Sequence, residues 1–149
     1  MMHEIDVHEV DVTAVFVYGT LKRGQCRHGL WPVSASEVLV ASVRGELWGR
    51  DDYPALKRGE FRVIGELHTF ESVQIPIVLK VLDQIEGTNG NSPADLYHRH
   101  VVDTELIESN TVLRAYAYFY VGSPERDGFH RVRVTGGQSS IEQQSWPEI

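Results

Sequence analysis

Two short stretches of the chain carry residue types that could hold an oxygen anion and shuttle a proton. The first is Tyr18-Gly19-Thr20-Leu21-Lys22-Arg23-Gly24, which follows directly on the apolar run Ala14-Val15-Phe16-Val17. A buried strand leading at once into a glycine-bracketed loop can expose successive backbone N–H groups as a concave nest for an oxygen anion. The spacing is not that of a P-loop or a dinucleotide fingerprint, and a plain strand-to-loop exit is the ordinary alternative. The second is Leu82-Asp83-Gln84-Ile85-Glu86-Gly87, with two carboxylates at i and i+3 in the last turn of a helix. The negative end of the helix dipole disfavours an ionised carboxylate, so Glu86 tends toward a raised pKa, which suits a group that shuttles a proton near neutrality. At an exposed helix end water erases the effect, and a surface helix terminus with Lys80 offsetting the charge is the alternative there.

A third stretch is less specific. On an extended strand Tyr97, Arg99 and Val101 share one face while His98, His100 and Val102 share the other, and Tyr116, Tyr118 and Tyr120 form a stripe opposite Ala115, Ala117 and Phe119. Facing inward, tyrosines and an arginine would line a polar pocket; facing outward, they would be amphipathic surface packing. His98 and His100 have the spacing by which a strand presents two metal ligands, but no third ligand is tied to them by spacing, so the expectation is solvated histidines and no metal. Cys26 and His28, at i and i+2, point apart, which leaves an unreactive thiol.

These residues need elements to hold them. Ala14 to Tyr18 reads as a buried strand, Gln25 to Leu30 as a short helix, and Glu37 to Trp48 as one long strand or two bent at Gly45. Gly49 to Ala55 reads as a turn segment and Phe61 to Phe70 as a second apolar strand. Ile75, Val78, Leu82 and Ile85 fall at helical spacing, with Glu71, Ser72 and Pro76 suited to a start and Gly87 to a stop, which predicts the main helix over 72–86. Thr88 to Asp95 is a loop, and Tyr97 to Ile107 with Thr111 to Val121 is a hairpin. After Gly122 the apolar periodicity fades, so 122–149 reads as a loosely packed tail with one strand at Arg131 to Val134. Residues 1–12 read as a frayed lead-in or an added edge strand. Many strands against one real helix give the class α+β, with a mixed or antiparallel sheet curled around that helix.

The chain of 149 residues fits one domain, 1–149, with a core over about 13–121. Its 14 Lys and Arg against 21 Asp and Glu give a net charge of -7, which lacks the basic footprint of a nucleic-acid binder and leans toward neutral or cationic small molecules. Cys26 is the only cysteine, which excludes an intramolecular disulfide and suits a reducing compartment. No apolar run approaches membrane-spanning length and no secretory leader is recognisable, so a cytoplasmic protein without nucleic-acid or membrane partners is expected.

In order and spacing, Tyr18-Gly19-Thr20-Leu21-Lys22-Arg23-Gly24, Tyr53-Pro54-Ala55-Leu56, Gly65-Glu66-Leu67, Leu82-Asp83-Gln84-Ile85-Glu86-Gly87 and Leu96-Tyr97-His98-Arg99 resemble the gamma-glutamylcyclotransferase-like family over about residues 13–121. The opening loop resembles that of gamma-glutamylamine cyclotransferases. The resemblance implies a small β-barrel with flanking helices, and a cavity in which the loop and the helix-ending glutamate meet. It implies that the amides of Gly19, Thr20 and Leu21 grip the glutamyl end of a small-molecule gamma-glutamyl substrate, with Tyr18, Tyr97 and Tyr116 at the pocket and Glu86 as acid and base. Arg99 matches the motif with a role that is catalytic or structural. The implied reaction is cofactor-independent: the substrate's α-amine attacks its own γ-carbonyl, releasing 5-oxoproline and an amine. A non-catalytic module holding an amino-acid-like ligand, and an amidohydrolase releasing glutamate, are the readings it competes with.

Overall fold

A computed structural model describes residues 12–137 and 140–147. The reading of residues 1–11 as a lead-in or edge strand falls outside them. The strands are β1 (Ala14–Val17), β2 (Glu37–Gly49), β3 (Pro54–Thr69), β4 (Tyr97–Leu106), β5 (Val112–Tyr120), β6 (His130–Arg131), β7 (Thr135–Gly137) and β8 (Ser140–Gln144). The α-helix α1 spans Ile75–Glu86.

Five of these strands close on themselves in the order β2-β4-β5-β1-β3, with β3 pairing back onto β2. All these pairings are antiparallel except β1 with β5, where Val15 lies opposite Tyr116. Closure removes the free edges that an open sheet would expose.

The run Ala14 to Tyr18 is apolar on both faces because both faces are covered. Ala14, Phe16 and Tyr18 join Leu47, Leu56, Val63, Leu67, Ala115 and Ala117 in the barrel interior. Val15 and Val17 pack instead with Ile75, Val78 and Leu82 of α1 and with Tyr97, Tyr118 and Tyr120. The tyrosine stripe of β5 therefore faces the helix, while Ala115, Ala117 and Phe119 fill the barrel.

Gly65 permits the tight seam between β1 and β3: a Cβ there would lie 2.4 Å from the Val17 carbonyl oxygen and 2.7 Å from Phe16 Cζ. The helical segment begins as expected at Ser72, as a 3₁₀ turn over Ser72–Gln74 fixed by a capping box between Glu71 and Gln74, and continues into α1. Gly87, at φ 67°, ends it in the left-handed conformation.

Three expectations need correction. The segment at Gln25 to Leu30 forms only a 3₁₀ turn over His28–Leu30. The second long strand starts at Pro54, not Phe61: Lys57 pairs with Glu46 and Phe61 with Gly45, so residues 58–60 bulge out of the ladder. That bulge, with Gly59 close against Glu46, breaks the alternation that marks a strand in sequence.

The segment after Gly122 is not a loose tail. Phe129, Val132, Gln144 and Trp146 are buried, β8 adds in parallel to β3, and β6 adds to β2 at His130–Arg131 rather than over Arg131 to Val134. Gln144 is the key residue: its Oε1 accepts from the Leu47 N–H at 2.7 Å, and its Nε2 donates to the Val132 carbonyl at 2.7 Å. A polar residue buried through its hydrogen bonds carries no apolar periodicity, which is why the sequence pattern fades there.

Candidate active site

A cavity of about 230 Å³ opens where the end of β1, the loop after it, the turn before β3 and the C-terminal end of α1 converge. Tyr18, Gly19, Thr20 and Leu21 line it together with Arg27, Tyr53, Pro54, Ile85, Glu86, Leu96, Tyr97 and Tyr118. Of the residues read from the sequence, Glu86, the Tyr18–Leu21 loop and Tyr97 meet here; Tyr116 does not. It lies two residues along β5 from Tyr118, on the same face, with the Arg99 guanidinium 5.4 Å from its ring centre. One step of two residues along a strand moves a side chain by about 6.6 Å, which takes Tyr116 past the cavity and gives Tyr118 the position.

The loop is held through its carbonyls, leaving its amides unused. Lys22 N–H donates to the Gly19 carbonyl at 3.1 Å and Arg27 N–H to the Thr20 carbonyl at 2.8 Å. Trp31 Nε1–H donates to the Leu21 carbonyl at 3.0 Å. The carbonyls of all three residues are thus engaged, while among the described residues no acceptor takes the N–H of Gly19, Thr20 or Leu21. Gly19 also lets the chain run against the opposite wall, since a Cβ there would sit 2.7 Å from Pro54 Cγ.

Gly65-Glu66-Leu67 supports the loop's far limb. Glu66 accepts from Arg23 N–H at 2.9 Å, from Arg23 Nε–H at 3.2 Å, and lies 3.1 Å from His68 Nε2. Burial alone would raise the Glu66 carboxyl, but these bonds hold it below its usual range. Burial lowers the His68 imidazole pKa against the pull of Glu66, and Trp31 stacks on His68 with ring centres 4.5 Å apart. The second cavity, lined by Arg23, His28, Trp31 and His68 among others, lies on that far side.

Glu86 occupies the last residue of α1, partly buried in the cavity wall. Among the described residues no hydrogen bond or ion pair engages its carboxylate. Burial pushes its pKa up to about 7, and the charge of Arg27 works in the opposite direction. The other carboxylate of the motif does different work. Asp83 accepts from Arg99 Nη1 and from the Tyr118 hydroxyl, each at 2.6 Å, and so fixes Tyr118 at the cavity. Arg99 is thereby paired with Asp83 and does not line the cavity. Its backbone is clamped by Asn91, whose side-chain amide both accepts from the Arg99 N–H and donates to the Arg99 carbonyl at 2.9 Å.

The tyrosines are equally anchored. Tyr97 hydroxyl donates to the Pro54 carbonyl at 2.7 Å and Tyr18 hydroxyl to the Tyr118 carbonyl at 2.6 Å. Burial, reinforced by neighbouring negative charge including that of Glu86, pushes both phenols far above their ordinary range, so they stay protonated donors. His98 is occupied by the Ser92 carbonyl, 2.7 Å from its Nε2, and His100 packs edge-on to Phe119. Among the described residues no group of three or more His, Cys, Asp or Glu is placed to hold a metal ion, and no helix is long and apolar enough to cross a membrane.

An unpaired carboxyl and a run of residues with unpaired amides around one cavity is an arrangement suited to acyl transfer. Over residues 15–148 the sequence matches the family model described as gamma-glutamyl cyclotransferase, AIG2-like. The chain belongs to that family. The match extends beyond the motifs into the segment after Val121, in agreement with the strands which that segment adds to β2 and β3.

Solved structures share the family fold. YkqA from Bacillus subtilis superimposes with a TM-score of 0.58 at 23% identity, over 80% of this chain and 37% of that one, so this chain spans well under half of the Bacillus protein. An AIG2-like protein from Mus musculus gives 0.56 at 23% identity, over 80% and 84% of the two chains. An uncharacterised Pyrococcus horikoshii protein gives 0.53 at 17%, over 80% and 85%. No curated protein sequence matches the chain. Family membership supports a cyclotransferase-type function.

Proposed function

We propose that the protein is a gamma-glutamyl cyclotransferase, converting a gamma-glutamyl amide to 5-oxoproline and a free amine. The observation that carries this reading is the unpaired Glu86 carboxyl, poised near pH 7, in one cavity with the free amides of Gly19, Thr20 and Leu21.

In this reaction the substrate's α-nitrogen attacks its own γ-carbonyl carbon, closing a five-membered lactam. The new N–C bond forms, the carbonyl becomes an oxyanion, and its collapse breaks the bond to the leaving nitrogen. The α-nitrogen starts as ammonium and loses two protons; the leaving nitrogen gains two. Glu86 accepts from the first and donates to the second, and ends as it began. A pKa near the working pH suits both tasks.

No external nucleophile or cofactor enters the step. Holding the glutamyl chain folded back supplies an effective molarity of up to ~10⁵–10⁸ M, so positioning dominates the acceleration. One amide aimed at the developing oxyanion adds about 3 kcal/mol. The hydroxyls of Tyr18 and Tyr97 are committed to carbonyls, so their part is to shape the wall.

Gamma-glutamyl amino acids, isopeptides and gamma-glutamyl-capped amines all present this head. The test is to incubate the protein with a panel of such amides and identify the acidic product by mass spectrometry. Formation of 5-oxoproline is the expected result. Free glutamate would replace cyclisation with hydrolysis by water, and no product from ligands that raise the melting temperature would make the cavity a binding site only.

A further inference from the structure

One charged residue of the cavity takes no part in the proton transfers. Arg27 sits where the loop turns back: its N–H donates to the Thr20 carbonyl at 2.8 Å and its carbonyl accepts from Leu30 N–H at 3.0 Å. These bonds seat its backbone beside the segment whose amides lie free. Arg23, Arg50, Arg62, Arg99 and Arg131 each have a carboxylate partner. Arg27, among the described residues, has none, although its side chain is partly buried against the cavity.

Among the described residues, Arg27 and Glu86 are the only Arg, Lys, Asp or Glu residues of the lining. They are close enough for the guanidinium charge to act on the Glu86 carboxyl, yet they do not pair. An acid and a cation that share a small cavity without bonding leave room for a ligand carrying the complementary charges. A guanidinium offers a planar fork of donors that matches a carboxylate. A direct pairing inside a cavity outweighs the diffuse bias toward cationic amines from the net charge of -7, which salt screens.

We propose that Arg27 is a specificity-determining residue of the cavity that binds a carboxylate of the substrate. That carboxylate belongs either to the glutamyl head or to an amino acid serving as the leaving amine. The kinetic form of the claim rests on the cyclotransferase reading; its binding form does not.

The experiment compares gamma-glutamyl-alanine, whose leaving amine carries a carboxylate, with gamma-glutamyl-ethylamine, whose leaving amine does not. Binding of each is measured by calorimetry in Glu86→Gln protein, with and without Arg27→Gln, and KM and kcat are measured in Arg27→Gln and Arg27→Lys protein. The Arg27 side chain makes no hydrogen bond among the described residues, so the melting temperature of Arg27→Gln should stay close to that of the parent, which serves as the folding control.

Loss of a charge-assisted contact weakens binding about 10- to 100-fold. An equal loss for both ligands assigns Arg27 to the glutamyl carboxylate, and a loss confined to gamma-glutamyl-alanine assigns it to the leaving group. The lysine variant should recover part of the loss, because it keeps the charge without the fork. Unchanged affinity for both ligands overturns the proposal. Arg27-dependent binding without 5-oxoproline would keep this inference and refute the cyclotransferase reading; turnover indifferent to Arg27 would do the reverse.

Discussion

Replacing Glu86 by Gln should stabilise the fold, by an amount that grows with pH. The carboxyl has an ordinary value of 4.5 and is pushed to about 7 by burial. Below the lower value both folded and unfolded chains hold the proton, and the substitution changes little. Between the two values the folded protein retains a proton that the unfolded chain has released, so wild-type stability falls as pH rises. Above about pH 7 the full cost of keeping an ionised carboxylate in the wall is present, about 3 kcal/mol at most. The neutral glutamine never bears it.

For a chain of this size that corresponds to a melting temperature about 6–12 °C higher in the mutant near pH 8, shrinking to about a third of that or less near pH 5. Urea or thermal denaturation of both proteins at the two pH values measures it. A Glu86→Gln protein equally stable relative to wild type at both pH values would refute the account of Glu86 as a carboxyl held in an unfavourable, desolvated position. The predicted gain is the trade expected where a functional group is kept at some cost to the fold.

Gly19→Ala should lower 5-oxoproline formation by about 10-fold or more and cost about 1–3 kcal/mol, because the new methyl meets Pro54 at 2.7–2.8 Å and forces the cavity walls apart; steady-state rates and melting curves check both parts. Asp83→Asn should remove the charged partner of Arg99 and Tyr118 and cost about 1–3 kcal/mol in denaturant titrations, with a smaller loss of activity than Glu86→Gln gives. Gln144→Leu leaves the buried Leu47 N–H and Val132 carbonyl without their side-chain partner, and should cost about 2–4 kcal/mol by the same titration. A neutral Gln144→Leu would mean that the C-terminal segment is not integral to the barrel.

The parts of the fold legible in the sequence were those with a local rule behind them. Helix α1 announced itself through the spacing of Ile75, Val78, Leu82 and Ile85 and the stop at Gly87. The all-apolar run Ala14 to Tyr18 announced a strand covered on both faces. What escaped was set by long-range contacts. Tyr116, Tyr118 and Tyr120 alternate identically, and only the register of β5 against β1 and the Asp83 hydrogen bond decide that Tyr118 is the one at the cavity. Asn91 clamps Arg99 from a loop, a role that no pattern in its neighbourhood signals. Gln144 is buried by hydrogen bonds across the barrel, so its segment lacked the apolar signature of a core. No local pattern in the sequence marks Arg27; its place in the cavity with Glu86 depends on how the loop folds back onto Thr20.

The most direct test of the central claim is the rate of 5-oxoproline release, with the best substrate of the panel at saturation, by wild type and by Glu86→Gln. A positioned acid and base contributes about 10²–10⁴-fold, and here it moves every proton of the reaction. The account predicts a fall of at least that size in a mutant whose melting temperature is equal to or above that of wild type. A folded Glu86→Gln protein turning over at a near-native rate would contradict it.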